Sequence, residues 1–182
     1  MTTKTHTSID APFPEVFAAM RAKLESENFV LVEGIAPVFA ENSEAVAPVP
    51  PAQNPDFLYR IEGPKLTFVN TDLRRVVSFC YVGNNAEGPP GMVHGGALFT
   101  MVDNALSVCA CRSLVAICVT ATVSINYLAP MYLGSWLRVE AEINRVEKKK
   151  AFLSFAAFRP DETKVVGGTS LFIVKARMHA SL

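Results

Sequence analysis

The segment 97–114 constrains the fold of this chain more than any other part of its sequence. Apolar residues occupy nearly every face of the helix that it predicts, among them Leu98, Met101, Val102, Leu106 and Val108. Such a helix must be enclosed by other structure, because none of its faces suits water. The chain has 182 residues, the length of one ordinary domain, and 50% of them are hydrophobic. This composition is enough for a single core around the helix.

Strand patterns lie on both sides of this helix. Before it, β-branched and aromatic residues in 65–70 and 75–82 predict two strands, which end at the turn-rich segment 83–91. After it, the segments 117–127, 135–146, 151–159 and 164–176 alternate apolar and polar residues, so each strand is expected to have one polar face. Short turns at 148–150 and 160–162 predict hairpins, and therefore an antiparallel meander.

The first 60 residues have a different pattern. Residues 14–28 place Phe17, Met20 and Leu24 at helical spacing and predict a short amphipathic helix. Residues 34–55 are rich in Pro, Ala and Asn and predict an extended connector. We therefore divide the chain into an N-terminal helix with a Pro-rich connector, residues 1–60, and a compact domain, residues 61–178.

Charge and hydropathy exclude several classes of partner. Seventeen basic residues balance 17 acidic ones, so we expect no binding to nucleic acid. The uncharged run 113–137 is long enough to span a bilayer, but alternating Thr, Ser and Asn and the breaks at Pro130 and Gly134 predict strands instead, so we expect no stable membrane insertion. The first ten residues resemble no secretory or transit signal, and a cytosolic location is the default.

Neither a metal nor a cofactor is expected from the residue types. The cysteines lie in apolar stretches without paired spacing, which predicts reduced, buried thiols. The three histidines, His6, His94 and His179, are far apart in sequence, so no metal site is predicted. Dinucleotide and phosphate-loop glycine patterns and the Gly-x-Ser-x-Gly signature of serine esterases are absent from the sequence.

The motif His94-Gly95-Gly96 comes directly before the apolar helix. At a helix N-terminus the backbone N–H groups are uncovered and the helix dipole is positive, so an anion or a polarised carbonyl could bind there. The alternative is structural: the glycines allow a tight turn and close packing, and His94 makes a local hydrogen bond.

Asp103 lies about two turns into the same helix, among Phe99, Val102 and Leu106. A carboxylate in apolar surroundings is costly unless it is paired or used, so Asp103 is either part of a polar network with its neighbours or a functional acid or base. Arg138 could pair with an acid on a neighbouring strand. Lys148, Lys149 and Lys150 form a solvated hairpin tip or, alternatively, a phosphate-binding site.

Taken together, His94-Gly95-Gly96, Asp103 nine residues after the histidine, and the strand from Thr120 to Tyr127 resemble the hotdog-fold acyl-CoA thioesterases. Within that family, 88–175 is similar to the branch that includes PaaI and the animal thioesterase-superfamily members. The resemblance implies an α+β hotdog fold, in which a curved antiparallel β-sheet wraps a long central helix, here with an N-terminal helical extension. It also implies homodimers, commonly paired into tetramers, that join sheets edge to edge.

The resemblance implies an activity, the hydrolysis of fatty acyl-CoA to free acid and coenzyme A, with no separate cofactor. The implied catalytic set is His94, Gly95, Asp103 and Thr120. The Gly95 amide would polarise the thioester carbonyl, and Asp103 from the partner subunit would activate water or attack directly. The Thr120 hydroxyl would orient the water molecule or the Asp103 carboxylate. The implied substrate-binding residues are Gly96, Asn126, Arg138, Lys149 and Lys150, the last three at coenzyme A phosphates.

Two other functions remain open at this point. A hotdog protein could bind acyl-CoA without turnover, although a pure binder has no need of His94, Gly95 and Asp103 together. A hotdog dehydratase or hydratase is the other alternative, but Asp103 has no second acid near it in sequence. In similar animal proteins an N-terminal extension can carry organelle targeting, so a mitochondrial location stays open.

Overall fold

The computed structural model of the chain describes residues 13–32 and 62–177. Within these residues, two helices and seven strands follow one another in this order: α1 (Glu15–Ser26), β1 (Val30–Val32), β2 (Glu62–Asn70), β3 (Arg75–Val82), α2 (Gly95–Leu114), β4 (Ala116–Tyr127), β5 (Ser135–Glu147), β6 (Lys150–Phe158) and β7 (Lys164–Arg177). A single 3₁₀ turn, Asn84–Ala86, lies between β3 and α2. The predicted connector 34–55 and the boundary near residue 60 lie outside the described residues.

The apolar helix is confirmed as the centre of the fold. Met101, Val102, Leu106 and Cys109 of α2 are at most 2% exposed, and the main core forms where α2 meets the sheet. The helix ends at Val115, which adopts a left-handed conformation with φ 47° and turns the chain directly into β4. All four cysteines of the chain are buried thiols outside any disulfide, as predicted.

The strands form one antiparallel sheet in the order β1-β2-β3-β5-β6-β7-β4. The six longer strands match those predicted from the sequence to within a few residues. β1 was not predicted, because three residues are too few for alternation to be visible. β4 lies at one edge of the sheet, so one side of its backbone has no neighbouring strand among the described residues.

A second, smaller core covers the outer face of the sheet, away from α2. There Phe17 and Leu24 of α1 pack with Phe79 of β3 and Trp136 of β5. The Phe17 and Phe79 ring centroids are 5.0 Å apart. The prediction that each strand has one polar face is therefore wrong for the start of β5, where both faces are buried because α1 covers the outer one. The apolar face of α1 that the sequence pattern revealed is the face that packs here.

Candidate active site

His94 forms the cap of α2 and organises the start of the helix. Its Nδ1 accepts a hydrogen bond from the Gly96 amide at 3.0 Å, and its carbonyl oxygen accepts one from the Leu98 amide at 3.0 Å. Its own amide donates to the Ala86 carbonyl at 2.7 Å, which fixes the incoming loop. Within the described ranges, the Gly95 amide donates to no protein group, so it stays available at the positive end of the helix.

Tyr127, at the end of β4, holds the other side of the same turn. Its hydroxyl donates to the Gly95 carbonyl at 2.9 Å. A Cβ atom at Gly95 would meet the Tyr127 ring at 3.5 Å, an ordinary van der Waals distance. Sequence reasoning assigned no role to Tyr127. The sequence signal that could have indicated a role for Tyr127 is its hydroxyl, which ends the strand face that carries Val123 and Ile125.

Asp103 is half-buried on α2 and is held from β4. Its Oδ1 accepts a hydrogen bond from the Thr120 hydroxyl at 2.9 Å. A β-bulge between Thr120 and Thr122 makes this contact possible, because it changes the alternation of β4. Thr120 pairs with buried Phe172 and faces α2, whereas uninterrupted alternation would have placed it on the face opposite Val123 and Ile125.

Gly95 and Asp103 of one chain do not converge on one reacting atom. They are eight residues apart on α2, which corresponds to about 12 Å along the helix axis. Each is instead tied to β4, Asp103 through Thr120 and Gly95 through Tyr127. The arrangement therefore presents two half-sites on the same edge strand, one in its first half, at Thr120, and one at its last residue, Tyr127.

Asn126 lies on the other face of β4 from this pair of half-sites. Since Ile125 packs against the core and Tyr127 reaches α2, alternation directs Asn126 away from the helix. A groove of about 440 Å³ on that outer face is lined in part by Thr122, Ser124 and Phe152. The structure brings Asn126 into contact with neither Gly95 nor Asp103 within one chain.

Arg138 is buried and its charge is already balanced. It is 3% exposed, forms a bidentate pair with Glu162 at 2.5 and 2.7 Å, and donates to Glu140 at 2.9 Å. Its guanidinium also lies 4.6 Å from the Phe158 ring centroid. Burial alone would lower the pKa of Arg138, but the hydrogen bonds and charges of Glu162 and Glu140 outweigh it and raise the pKa. Arg138 therefore pairs with acids, but Glu140 is on its own strand and Glu162 is in the turn between β6 and β7, not on a neighbouring strand as expected.

Lys149 and Lys150 are exposed at the turn between β5 and β6. Ala151 and Thr120 both pair with Phe172 of β7, so Lys150 is about two strand spacings, roughly 10 Å, from Thr120. Arg138 is paired with Phe158, at the far end of β6, and lies about 26 Å from Lys150 along the strand. Arg138 and the two lysines are therefore not parts of one cluster.

The described residues were also compared with the requirements of a metal site and of a transmembrane helix, neither of which the sequence predicts. Among residues 13–32 and 62–177, no group of three or more His, Cys, Asp or Glu side chains is arranged to hold a metal ion. His6 and His179 lie outside those residues. In the same ranges, neither helix has the length and hydropathy that a transmembrane helix requires.

A long central helix enclosed by an antiparallel sheet is the hotdog architecture, and solved structures agree. A hypothetical thioesterase from Streptococcus pneumoniae TIGR4, solved with coenzyme A, is 27% identical, with a TM-score of 0.55 over 58% of this chain and 84% of that chain. The PaaI protein of E. coli, 20% identical, has the same fold, with a TM-score of 0.54 over 58% of this chain and 75% of that chain.

Sequence comparison points to the same class of protein. Residues 90–166 match the family described as "Thioesterase superfamily". The acyl-coenzyme A thioesterase THEM4 of Bos taurus is 35% identical over 107 residues, 58% of this chain and 44% of the relative. The protein of the same name from Mus musculus is 36% identical, covering 58% of this chain and 46% of the relative. The chain thus spans slightly less than half the length of the curated relatives it matches.

Proposed function

We propose that this protein hydrolyses fatty acyl-CoA thioesters to free acid and coenzyme A. The observation that carries the proposal is the pair of half-sites on β4: an uncommitted Gly95 amide at a helix N-terminus and an Asp103 carboxylate oriented by Thr120. The matched relatives are named acyl-coenzyme A thioesterases, and one similar structure was solved with coenzyme A. Both support this substrate class.

The chemistry follows from the two groups. The Gly95 N–H would donate to the thioester oxygen and stabilise the negative charge that develops there. Asp103 would remove a proton from a water molecule whose oxygen attacks the carbonyl carbon, or its carboxylate would attack that carbon directly. Collapse of the tetrahedral intermediate breaks the carbon–sulfur bond and releases the coenzyme A thiolate, which takes up a proton. After attack by water this leaves the free acid; after direct attack it leaves a mixed anhydride on Asp103, which water then hydrolyses to the free acid and the Asp103 carboxylate.

The separation of about 12 Å along α2 requires a second subunit in this mechanism. If β4 pairs antiparallel with itself about a two-fold axis between Val123 and Ser124, Thr120 lies opposite Tyr127 of the partner subunit. Asp103 is then brought towards Gly95 of the partner subunit, which completes the site. The exposed edge of β4, with Val119 40% and Tyr127 52% exposed, supports a homodimer of this kind. Further pairing of dimers into tetramers remains part of the proposal.

Coenzyme A phosphates would be held by Lys149 and Lys150, which are exposed about two strand spacings from Thr120, the residue that holds Asp103. Arg138 is a weaker candidate because two carboxylates already neutralise it. Gly96 would support the carbonyl site through its bond to His94. Asn126 could contact substrate only from the outer face of β4 or across the subunit interface.

A reducing compartment fits the cysteines. All four cysteines of the chain are buried thiols, whereas proteins of oxidising compartments commonly use cysteines in disulfides. We therefore propose a cytosolic location, with the mitochondrial matrix, also reducing, as the alternative.

A panel of acyl-CoA substrates of increasing chain length tests the proposed activity, with released thiol as the readout. We expect turnover with medium- or long-chain substrates. Binding of acyl-CoA without thiol release at micromolar enzyme would favour the non-catalytic alternative. Hydration of enoyl-CoA, measured as the loss of absorbance of its conjugated double bond, would favour the hydratase alternative.

A further inference from the structure

Tyr127 makes a contact whose purpose the proposed activity leaves unexplained. It is the last residue of an edge strand and is 52% exposed, yet its hydroxyl donates to the Gly95 carbonyl at 2.9 Å. Its ring also lies against Gly95. A half-exposed tyrosine needs no protein partner for its hydroxyl, because water can satisfy it. We therefore assign the bond to the Gly95 backbone: its main effect is to restrain the Gly95 carbonyl.

The backbone that receives this bond is the peptide unit between Gly95 and Gly96. Its N–H, on Gly96, donates to His94 Nδ1, and its carbonyl oxygen, on Gly95, accepts from Tyr127. Two side chains from opposite sides thus hold one peptide unit. Glycine has the widest conformational freedom of any residue, so a Gly-Gly pair is the place where such a clamp has the most effect.

The clamp matters because the Gly95 N–H belongs to the adjacent peptide unit. The helix already holds the other end of that unit, because the His94 carbonyl accepts a hydrogen bond from the Leu98 amide at 3.0 Å. The clamped peptide limits the rotation of the backbone that remains at Gly95. An oxyanion donor stabilises a transition state only if it points at the position where charge develops. A donor free to rotate would have to be ordered during the reaction, at a cost to the rate.

We propose that Tyr127 is a positioning residue, whose hydroxyl orients the Gly95 amide toward the thioester carbonyl. This inference rests on the proposed thioesterase function, because it assigns that donor to the reaction. It adds a specific role for a residue of β4: the same strand positions Asp103 through Thr120 and the carbonyl-binding amide through Tyr127.

Tyr127→Phe tests the proposal, because it removes the hydroxyl and keeps the ring. Tyr132→Phe is the matched control: Tyr132 is 48% exposed, and its ring lies 5.5 Å from Arg159 with no hydroxyl bond to the described residues. We expect Tyr127→Phe to lower kcat roughly five- to tenfold, the effect of one neutral hydrogen bond. KM should stay within about twofold, since the loss falls on the transition state. The control should match the wild-type protein.

The Gly95 amide resonance and the Tm of each variant show whether Tyr127 positions the amide or only stabilises the fold. The resonance also gives a result if the protein has no thioesterase activity. The Gly95 amide resonance, followed by ¹H–¹⁵N NMR, should shift and exchange faster in Tyr127→Phe and remain unchanged in Tyr132→Phe. The positioning role is overturned if Tyr127→Phe keeps the wild-type kcat. It is also overturned if kcat falls together with Tm while the Gly95 amide resonance does not change. Lack of thiol release by the wild-type protein refutes the thioesterase proposal and the catalytic role of Tyr127 with it, while the resonance still decides whether Tyr127 orients the amide.

Discussion

The Thr120 hydroxyl donates to Asp103 across the interface between β4 and α2, at 2.9 Å. This bond fixes one carboxylate oxygen, Oδ1, against the strand. Among the described residues no partner is found for Oδ2, which leaves it available to a water molecule or a thioester carbon. The bond also depends on a β-bulge, so the local irregularity of β4 is directly linked to the chemistry proposed for Asp103.

Asp103→Asn should abolish most of the activity. The amide keeps the size of the side chain and can still accept from Thr120, but it is neither a base nor a nucleophile. We expect kcat to fall by roughly 10²–10⁴-fold, the usual contribution of a general base. Asp72→Asn, at an exposed turn residue between β2 and β3, is the control and should leave kcat unchanged. Asp103→Asn activity within about threefold of wild type would assign the role to another group.

Replacement of Thr120 separates its hydroxyl from its shape. Thr120→Val keeps the branched side chain and loses the bond to Asp103, so kcat should fall roughly tenfold, consistent with one hydrogen bond to a charged group. Thr120→Ser keeps the hydroxyl and should retain most of the activity. Steady-state thiol release by both variants checks this. Equal activity of the Val and Ser variants would mean that the hydroxyl does not orient Asp103.

Sequence reasoning predicted the fold well and the connections within the site poorly. The segment 97–114, apolar on nearly every face, predicted the central helix. β-branched and aromatic content located β2 and β3, and regular alternation located the four strands after the helix. The same alternation placed Thr120 on the wrong face of β4, because a one-residue bulge leaves no mark in an apolar-polar pattern. The bidentate pair of Arg138 with Glu162 was also invisible, since 24 residues separate the two and their contact depends on how β6 returns to β7.

Gly168 should be needed for the pairing of β4 with β7. A Cβ atom there would lie 1.9 Å from the Ser124 carbonyl oxygen, so Gly168→Ala must push the edge strand away. We expect a loss of about 1–3 kcal/mol in the free energy of unfolding, as for other overpacked sites. Gly167→Ala is the matched control, because its Cβ meets mainly the flexible end of Lys164. Urea unfolding of both variants measures the difference, and equal stability would contradict the close approach of β4 to β7 at Gly168.

The pair between Glu162 and Arg138 should make stability depend on acid pH. The hydrogen bond from Arg138 holds the pKa of Glu162 below its usual value. A carboxylate with a lowered folded-state pKa contributes stability that is fully present above its unfolded pKa, about 4.3, and is lost as pH falls through the folded value. The stability difference between wild type and Glu162→Gln should therefore be largest near neutral pH and shrink below about pH 4.

Urea unfolding at several pH values checks this dependence. Glu147→Gln is the control, since it removes an ion pair with Arg145 in which both side chains are more than half exposed. Such exposed pairs contribute little to stability. A Glu162→Gln difference that stays constant from neutral to acid pH would contradict the linkage.

Hybrid dimers test whether Gly95 and Asp103 act from opposite subunits. Gly95→Pro removes the proposed donor N–H and suits the backbone, because proline is favoured at the first position of a helix and His94 already has the extended conformation, φ −62° and ψ 134°, that a residue before proline needs.

Gly95→Pro and Asp103→Asn should each be inactive as homodimers. In a hybrid dimer the Gly95→Pro subunit supplies Asp103 and the Asp103→Asn subunit supplies Gly95, so one of its two sites is intact. Random exchange makes half of the dimers hybrid, and about a quarter of all sites should recover activity, given two-fold symmetry. Gly95→Ala, which keeps the N–H and fits against Tyr127, should stay active throughout. If differently tagged subunits are seen to exchange while the mixture remains as inactive as its parents, the two groups do not share a site across the interface.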